Sequence, residues 1–230
     1  MTAVTPDGSP VEVYRRLPAE PELSIVRRYV GSRRRVLDLG AGAGRIADPL
    51  AEAGHDVVAV DESPEMVACI EHARRVAGRI EQLDLGEMFD VVLLLSHLIN
   101  SLPEQRTVVL HAAARHLDDS GIVVAQRHDP ARRIQEGRAQ LGDVEITLGQ
   151  IDDTRWPIVD AVTTYRVDTS SWKQSWTAEI LDDAATTAAF DAVGLSVQSV
   201  DGPWVVAGRM FPLRPQQVVT GRLLRDNVDE

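Results

Sequence analysis

Val36-Leu37-Asp38-Leu39-Gly40-Ala41-Gly42-Ala43-Gly44-Arg45, followed by Val57-Val58-Ala59-Val60-Asp61, decides how this chain is read. A short apolar run ends in a glycine-rich loop, and a second apolar run ends in a carboxylate. The first glycine lets the chain turn sharply off a strand, and the later ones let backbone amides approach a ligand with no Cβ in the way. A helix is expected to start near Gly44, its free N–H groups facing the same cleft. Asp61, at the end of the next strand, is placed to accept hydrogen bonds from both hydroxyls of a ribose. Each such charged hydrogen bond is worth roughly 1.5–3 kcal/mol. The layout is that of a nucleoside-cofactor site.

Two details separate the cofactors that use this layout. Counting from Gly40, the third glycine of the dinucleotide pattern G-x-G-x-x-G falls on Arg45. Asp38 also puts a carboxylate where a dinucleotide loop is usually apolar, and a carboxylate there suits a cationic amino group. Asp38-Leu39-Gly40-Ala41-Gly42-Ala43-Gly44 resembles the acidic glycine-rich loop of class I S-adenosylmethionine-dependent methyltransferases. The resemblance covers roughly residues 34 to 128 and the last strands. It implies S-adenosylmethionine as cofactor and S-adenosylhomocysteine as product, with methyl transfer to O or N of a small molecule such as a secondary metabolite. It further implies that Asp38, Gly40, Gly42 and Gly44 hold the methionine part, that Asp61 holds the ribose, and that Ala41, Glu62, Met66, Ile80, Glu81 and Ser96 complete the cofactor site. There is one departure from the family pattern. In Gly78-Arg79-Ile80-Glu81, Arg79 stands where a carboxylate commonly binds the adenine amino group. Either Glu81 substitutes for it, or backbone groups and apolar contacts from Met66 and Ile80 hold the adenine.

At 230 residues the chain can bury one substantial core, so one elaborated domain is expected. Elements alternate strand, helix, strand through the first half, which requires crossover helices and a parallel sheet. Strands are expected at 35–39, 57–61, 76–83, 89–95 and 121–126, and helices at 20–30, 44–53, 64–76 and 103–117. After His128-Asp129-Pro130 the pattern changes to period-two alternation, as in Val144-Glu145-Ile146-Thr147-Leu148, which predicts an antiparallel meander. A helix at 182–193 and a strand pair at 195–200 and 204–209 follow. The expected architecture is α/β: a Rossmann-like class I methyltransferase sheet, mostly parallel with its last strand antiparallel, helices on both faces, and an inserted antiparallel β meander. Its divisions are an N-terminal helical cap (1–33), the cofactor-binding core (34–128), the meander as substrate lid (129–182), the end of the core sheet (183–210) and a tail (211–230).

The formal net charge of -11, from 35 acidic and 24 basic residues, repels a phosphate backbone, so nucleic acid is not an expected partner. The arginine clusters Arg33-Arg34-Arg35, Arg74-Arg75 and Arg132-Arg133 read as solvated faces. Cys69 is the only cysteine, Met1–Gly8 lacks the basic-then-apolar pattern of a signal peptide, and the longest apolar run, Val91–Leu95, is strand-sized. A cytoplasmic protein with no membrane partner, monomeric or homodimeric, is expected.

Transfer of a methyl group leaves the protein mainly the task of placing the acceptor, and a base helps when the acceptor carries a proton. In open α/β sheets that base comes from the carboxyl ends of strands. Ser96-His97 follows the fourth strand and His128-Asp129 the fifth, so His97 and His128 are the candidate catalytic residues, with His97 favoured. Asn100 would orient His97 or the substrate. Tyr14, on an N-terminal helix, and Trp172, in the meander with Trp156 and Trp176, are candidate substrate contacts. His55, His72, His111 and His116 read as surface or packing residues, and no spaced set of Cys or His forms a closed metal site. The Asn- or Asp-Pro-Pro-aromatic motif of base-modifying amino-methyltransferases is replaced here by Ser96-His97-Leu98-Ile99, which argues for a small acceptor. Three alternatives stay open: an enzyme of the same fold that uses the bound sulfonium for a cyclisation or rearrangement, a non-catalytic partner subunit, and a dehydrogenase, to which Arg45 in place of the third glycine is the main obstacle.

Overall fold

The computed structural model describes residues 3–210; the expected tail at 211–230 lies outside the described residues. In chain order the elements are α1 (Val11–Tyr14), α2 (Glu22–Val30), β1 (Arg35–Leu39), α3 (Ala47–Glu52), β2 (Asp56–Asp61), α4 (Pro64–Val67), β3 (Arg74–Ala77), β4 (Phe89–Leu94), α5 (Pro103–His116), β5 (Leu117–Gln126), β6 (Gly137–Leu141), β7 (Val144–Asp152), β8 (Ile158–Val167), β9 (Ser170–Glu179), α6 (Asp183–Asp191), β10 (Leu195–Asp201) and β11 (Trp204–Arg209).

The apolar runs read as strands build a seven-stranded sheet in the order β10-β11-β5-β4-β1-β2-β3. β1 pairs in parallel with both β2 and β4, so Asp38 lies in register with Ala59 on one side and Leu93 on the other. The chain adds β2 and β3 on one side of β1 and β4 and β5 on the other, and this reversal opens a crevice at the carboxyl ends of β1 and β4. β11 runs antiparallel to both β5 and β10, as expected for the end of this sheet. Leu37, Leu39, Val92 and Leu94 point into a core on one face, while Val36, Leu50, Ile70 and Leu93 belong to a core on the other. Burying each such side chain stabilises the fold by about 1.5–3 kcal/mol.

Three expected boundaries are corrected. The fourth helix is a single turn capped by the Ser63 hydroxyl, which accepts from the Met66 N–H at 3.2 Å, and it stops at Val67 instead of reaching residue 76. The cause lies in another element: the Asp48 carboxylate accepts from the backbone N–H groups of Glu71, His72 and Ala73 at 2.9, 2.8 and 3.0 Å. These bonds hold residues 71–73 out of a helix at the entry to β3, which is Arg74–Ala77 and not 76–83. The third helix starts at Ala47 instead of Gly44, because Gly42 (φ +56°) and Gly44 (φ +83°) have left-handed backbones that a right-handed helix does not admit.

Strands β6 to β9 form a separate antiparallel sheet of four strands in sequence order. β8 alternates between buried and half-buried positions, and its buried Tyr165 and Val167 pack with Val13 of α1 and Val144 of β7. The arginine clusters lie on the surface: Arg35 and Arg74 both pair with Glu87, and the Arg133 guanidinium sits 3.9 Å over the ring of Trp156.

Candidate cofactor cleft and active site

A cleft of about 980 Å³ lies between the carboxyl ends of the core strands, the N-terminal segment and the inner face of the second sheet. Its floor is the glycine loop. Gly40 and Ala41 both donate to the Val60 carbonyl at 2.9 Å, which hangs the loop on the end of β2. Gly40 has φ +73°, and a Cβ there would lie 2.9 Å from Cδ1 of Leu98; the glycine keeps the turn tight and the cleft open. The Gly42 N–H donates to Asp61 Oδ2 at 2.9 Å, and the Ser63 N–H donates to Oδ1 at 2.9 Å. Burial raises the Asp61 pKa, and these two N–H groups oppose the rise. They also fix the carboxylate at the cleft edge.

Asp38 is the unusual group. It is 2% exposed, and burial pushes its carboxyl up to about 7 although the Arg45 charge opposes the rise. The Arg45 guanidinium is engaged elsewhere, donating to the Pro18 carbonyl at 3.0 Å and pairing with Glu22 at 3.2 Å. Among the described residues, no cation forms an ion pair with Asp38. A buried carboxyl facing a cleft with no partner is a receptor for a cationic group from a ligand.

Glu62, Met66, Ile80 and Glu81 line the cleft beyond Asp61. Arg79 does not: it is exposed and turns back to pair with Glu81 at 3.2 Å. The residue that breaks the family pattern therefore leaves the cleft free, and Ile80 and Glu81 face it.

At the end of β4, Ser96 and His97 adopt consecutive left-handed conformations, with φ of 52° and 63°. Such backbone in non-glycine residues is strained and needs support from its surroundings. The Ser96 N–H donates to Gln126 Oε1 at 3.0 Å, and the His97 carbonyl accepts from the Asn100 N–H at 2.8 Å. This turn lays the His97 ring on that of His128, at 4.0 Å between centroids and 8° between planes. Trp176 continues the stack beyond His128 at 5.8 Å and 18°. His97 Nδ1 is shielded from solvent and has no hydrogen-bond partner. Burial lowers the pKa of His97, and burial together with the neighbouring His97 lowers that of His128 to about 3. Both rings are neutral at physiological pH. They offer lone pairs to a ligand N–H or O–H, and their proximity disfavours a second proton.

One expected substrate contact is corrected, and two are placed in the cleft. Trp172 does not line the cleft; it packs against the cluster of Val13, Val144, Tyr165 and Val167, and Trp176 takes the cleft position. Asn100 lines the cleft, but its Nδ2 donates to the Glu179 carbonyl at 2.7 Å and its Oδ1 accepts from the His128 N–H at 2.8 Å, so its amide braces protein against protein. Tyr14 does line the cleft, edge-on to Tyr165 at 6.4 Å. The remaining histidines lie elsewhere: His72 pairs with Glu52, His55 accepts from the Arg34 N–H, His116 is bonded to Leu85 and Ala112, and His111 is exposed.

Two lining residues, Asp7 and Ser9, and the buried brace Arg127 carry no local signal. Asp7 and Ser9 reach the cleft from the N-terminal segment, where the Ser9 hydroxyl donates to Asp7 and Gln174 Nε2 donates to Ser9 Oγ at 2.9 Å. Asp7-Gly8 is a turn signal, but a turn signal does not say where the turn docks. Arg127, 1% exposed, donates to the Leu181 carbonyl at 3.2 Å, to Thr186 Oγ1 at 2.6 Å and to Asp183, and so ties the end of β5 to the start of α6.

Residues 36–121 match the family model described as a methyltransferase domain. Over 125 residues the chain is 34% identical to a cypemycin N-terminal methyltransferase from Streptomyces, a match covering 51% of each chain. Over 70 residues it is 41% identical to a ubiquinone biosynthesis O-methyltransferase from Azorhizobium caulinodans, covering 26% of this chain and 28% of the other. These alignments span about half or less of the relatives' own length. Among solved structures, the CcbJ methyltransferase from Streptomyces caelestis superposes with a TM-score of 0.68 at 20% identity, covering 83% of this chain and 89% of that one. Residues 36–121 thus carry a methyltransferase domain, set on the Rossmann-like fold of class I S-adenosylmethionine-dependent methyltransferases. That family's cofactor, S-adenosylmethionine, fits the residues present: the unpaired Asp38 suits its ammonium group, the left-handed glycine loop leaves room for its methionine chain, and Asp61 suits its ribose.

Proposed function

We propose that this chain methylates a nitrogen of a small molecule, using S-adenosylmethionine held by Asp38, the glycine loop and Asp61. The bound cofactor supplies an electrophilic methyl group on a sulfonium. The protein's contribution is to place the acceptor, for which good alignment is worth up to roughly 7–11 kcal/mol.

The observation that carries the choice of nitrogen is the stacked pair His97 and His128, held neutral by burial, with His128 lowered to about 3. A hydroxyl acceptor needs a base of adequate strength at the transferring step, and burial, which disfavours the protonated form of both imidazoles, weakens either one in that role. An amine can lose its ammonium proton to solvent before the transfer step and then carries its own lone pair. It needs only an acceptor for its N–H, and the neutral imidazole of His97, which lines the cleft, would provide one. His97 would then orient the amine, and His128 would support the ring of His97. The charge around the cleft agrees: Asp7, Asp38, Asp61, Glu62 and Glu81 line it, and its one lining arginine among the described residues, Arg45, is paired with Glu22. Anionic acceptors are disfavoured there. The Streptomyces relative whose name specifies an N-terminal methyltransferase supports the same choice. The N-terminal segment and strands β6 to β9 would serve as the lid over the acceptor, with Tyr14 and Trp176 in its wall.

The test is incubation with S-adenosylmethionine and a panel of primary and secondary amines, paired with phenols of matching skeleton, followed by mass spectrometry. S-adenosylhomocysteine formed together with an N-methylated product, and faster with amines than with the matching phenols, is the expected result. Preference for the phenols contradicts the nitrogen reading. Tight cofactor binding without any S-adenosylhomocysteine would point to a non-methylating reaction.

A further inference from the structure

We propose that Asn100 is a positioning residue that makes the alignment of the His97–His128 pair depend on the seating of lid strand β9. The inference deepens the reading above and rests on the histidine pair being the group that meets the acceptor.

Asn100 is 1% exposed and bonds to three segments at once. Its backbone N–H donates to the His97 carbonyl at 2.8 Å, which closes the turn that carries His97. Its Oδ1 accepts from the His128 N–H at 2.8 Å, immediately beyond β5. Its Nδ2 donates to the carbonyl of Glu179, the last residue of β9, at 2.7 Å. The amide orientation follows from the partners, since a backbone N–H can only donate and a carbonyl can only accept. A carboxamide is the side chain that offers a donor and an acceptor on one rigid plane of this size, so the two partners are held at a fixed separation.

Glu179 is gripped a second time. Arg106, on α5 and 8% exposed, donates from Nη2 to Glu179 Oε2 at 2.8 Å and from Nη1 to the Ser101 carbonyl at 2.9 Å. The end of the lid is thus anchored by its backbone through Asn100 and by its side chain through Arg106. Trp176, three residues earlier on the same strand, stacks on His128. With β9 seated, Asn100 and Trp176 constrain His128 from its backbone and from its ring face. With β9 lifted, both constraints go together, and the 4.0 Å stack on His97 loses its support.

The test reads the imidazole carbon-bound proton resonances of the histidines at pH 8, in protein loaded with S-adenosylhomocysteine. Stacked rings shift one another's resonances upfield, so His97 and His128 should stand apart in the wild type. Asn100→Asp keeps an acceptor for the His128 N–H but turns an acceptor on the Glu179 carbonyl, so it breaks only the lid bond. We expect the His97 and His128 resonances to move at least halfway to their unstacked positions, while those of His116, which is bonded to Leu85 and Ala112 away from the cleft, stay in place. Arg106→Met, which leaves all three bonds of Asn100 intact, should move the same resonances in the same direction by a smaller amount; it also serves if Asn100→Asp does not fold. Unmoved His97 and His128 resonances in the folded variants, or an equal movement of His116, overturn the proposal. This readout requires no acceptor, so it fails independently of the methyl-transfer reading. With an acceptor in hand, kcat should fall about tenfold or more in Asn100→Asp while the KM for cofactor holds.

Discussion

Asp38 makes cofactor binding a proton-releasing event. Its carboxyl is raised by burial from 3.8 to about 7 in the ligand-free protein. A cationic amino group set against it favours the ionised form and drives the pKa back down, so binding must eject whatever proton the carboxyl carries. With a free-state value near 7, that is about 0.9 proton per molecule at pH 6, about 0.5 at pH 7 and about 0.1 at pH 8. The apparent affinity should accordingly fall about tenfold for each unit below pH 7. The assay is calorimetric titration with S-adenosylmethionine in pairs of buffers that differ in ionisation enthalpy, which converts released protons into a heat difference. Asp38→Asn, measured in parallel, separates the contribution of Asp38 from that of Asp61, whose carboxyl is also raised by burial. Release that is the same at pH 6 and pH 8, or that survives undiminished in Asp38→Asn, would refute the reasoning.

Other consequences follow from the same geometry. The Asp38 carboxyl is raised in the folded state, so its ionisation opposes folding from about pH 4 upward and levels off above pH 7; Asp38→Asn should stabilise the ligand-free protein at pH 8 by about 2–4 kcal/mol in denaturant unfolding. His97→Ala should lower kcat about a hundredfold or more with unchanged S-adenosylhomocysteine affinity, checked by steady-state kinetics and titration. In the wild type, the low pKa of His128 predicts no additional loss of kcat from its own protonation between pH 8 and pH 5, whereas an ordinary histidine would titrate near 6.5. Arg127→Leu strands the Leu181 carbonyl and the Thr186 hydroxyl in the interior and leaves Asp183 without its guanidinium, and should cost about 3–5 kcal/mol by thermal or denaturant unfolding.

What could be read in the sequence was whatever short-range pattern determines. The parallel strands β1, β2 and β4 are apolar runs bounded by loop residues, and the meander announces itself by period-two alternation. Asp38, the glycine loop and Asp61 lie within two adjacent strand ends, so their convergence follows once those strands are placed. His97 and His128 were locatable for the same reason, since β4 and β5 are neighbours; that their rings stack and stay neutral depends on Trp176 and on burial, which no local window contains. The end of α4 and the start of β3 were misplaced because Asp48, on another element, takes the backbone N–H groups of Glu71 to Ala73. Alternation puts Trp172 and Trp176 on one face of β9 but does not tell which abuts Tyr14 and which abuts His128. Asn100 was legible as an orienting residue beside His97, but its bond to Glu179, 79 residues away, and the bond of Arg127 to Thr186, 59 residues away, follow from the assembled fold alone.

The most direct test of the account is titration of the purified protein with S-adenosylmethionine and, separately, with NAD, on the wild type and on Asp61→Ala. The account predicts micromolar binding of S-adenosylmethionine and none of NAD, with affinity reduced at least tenfold in the variant, since each lost charged hydrogen bond is worth roughly 1.5–3 kcal/mol. Binding of NAD, or S-adenosylmethionine binding that is indifferent to Asp61, would contradict it.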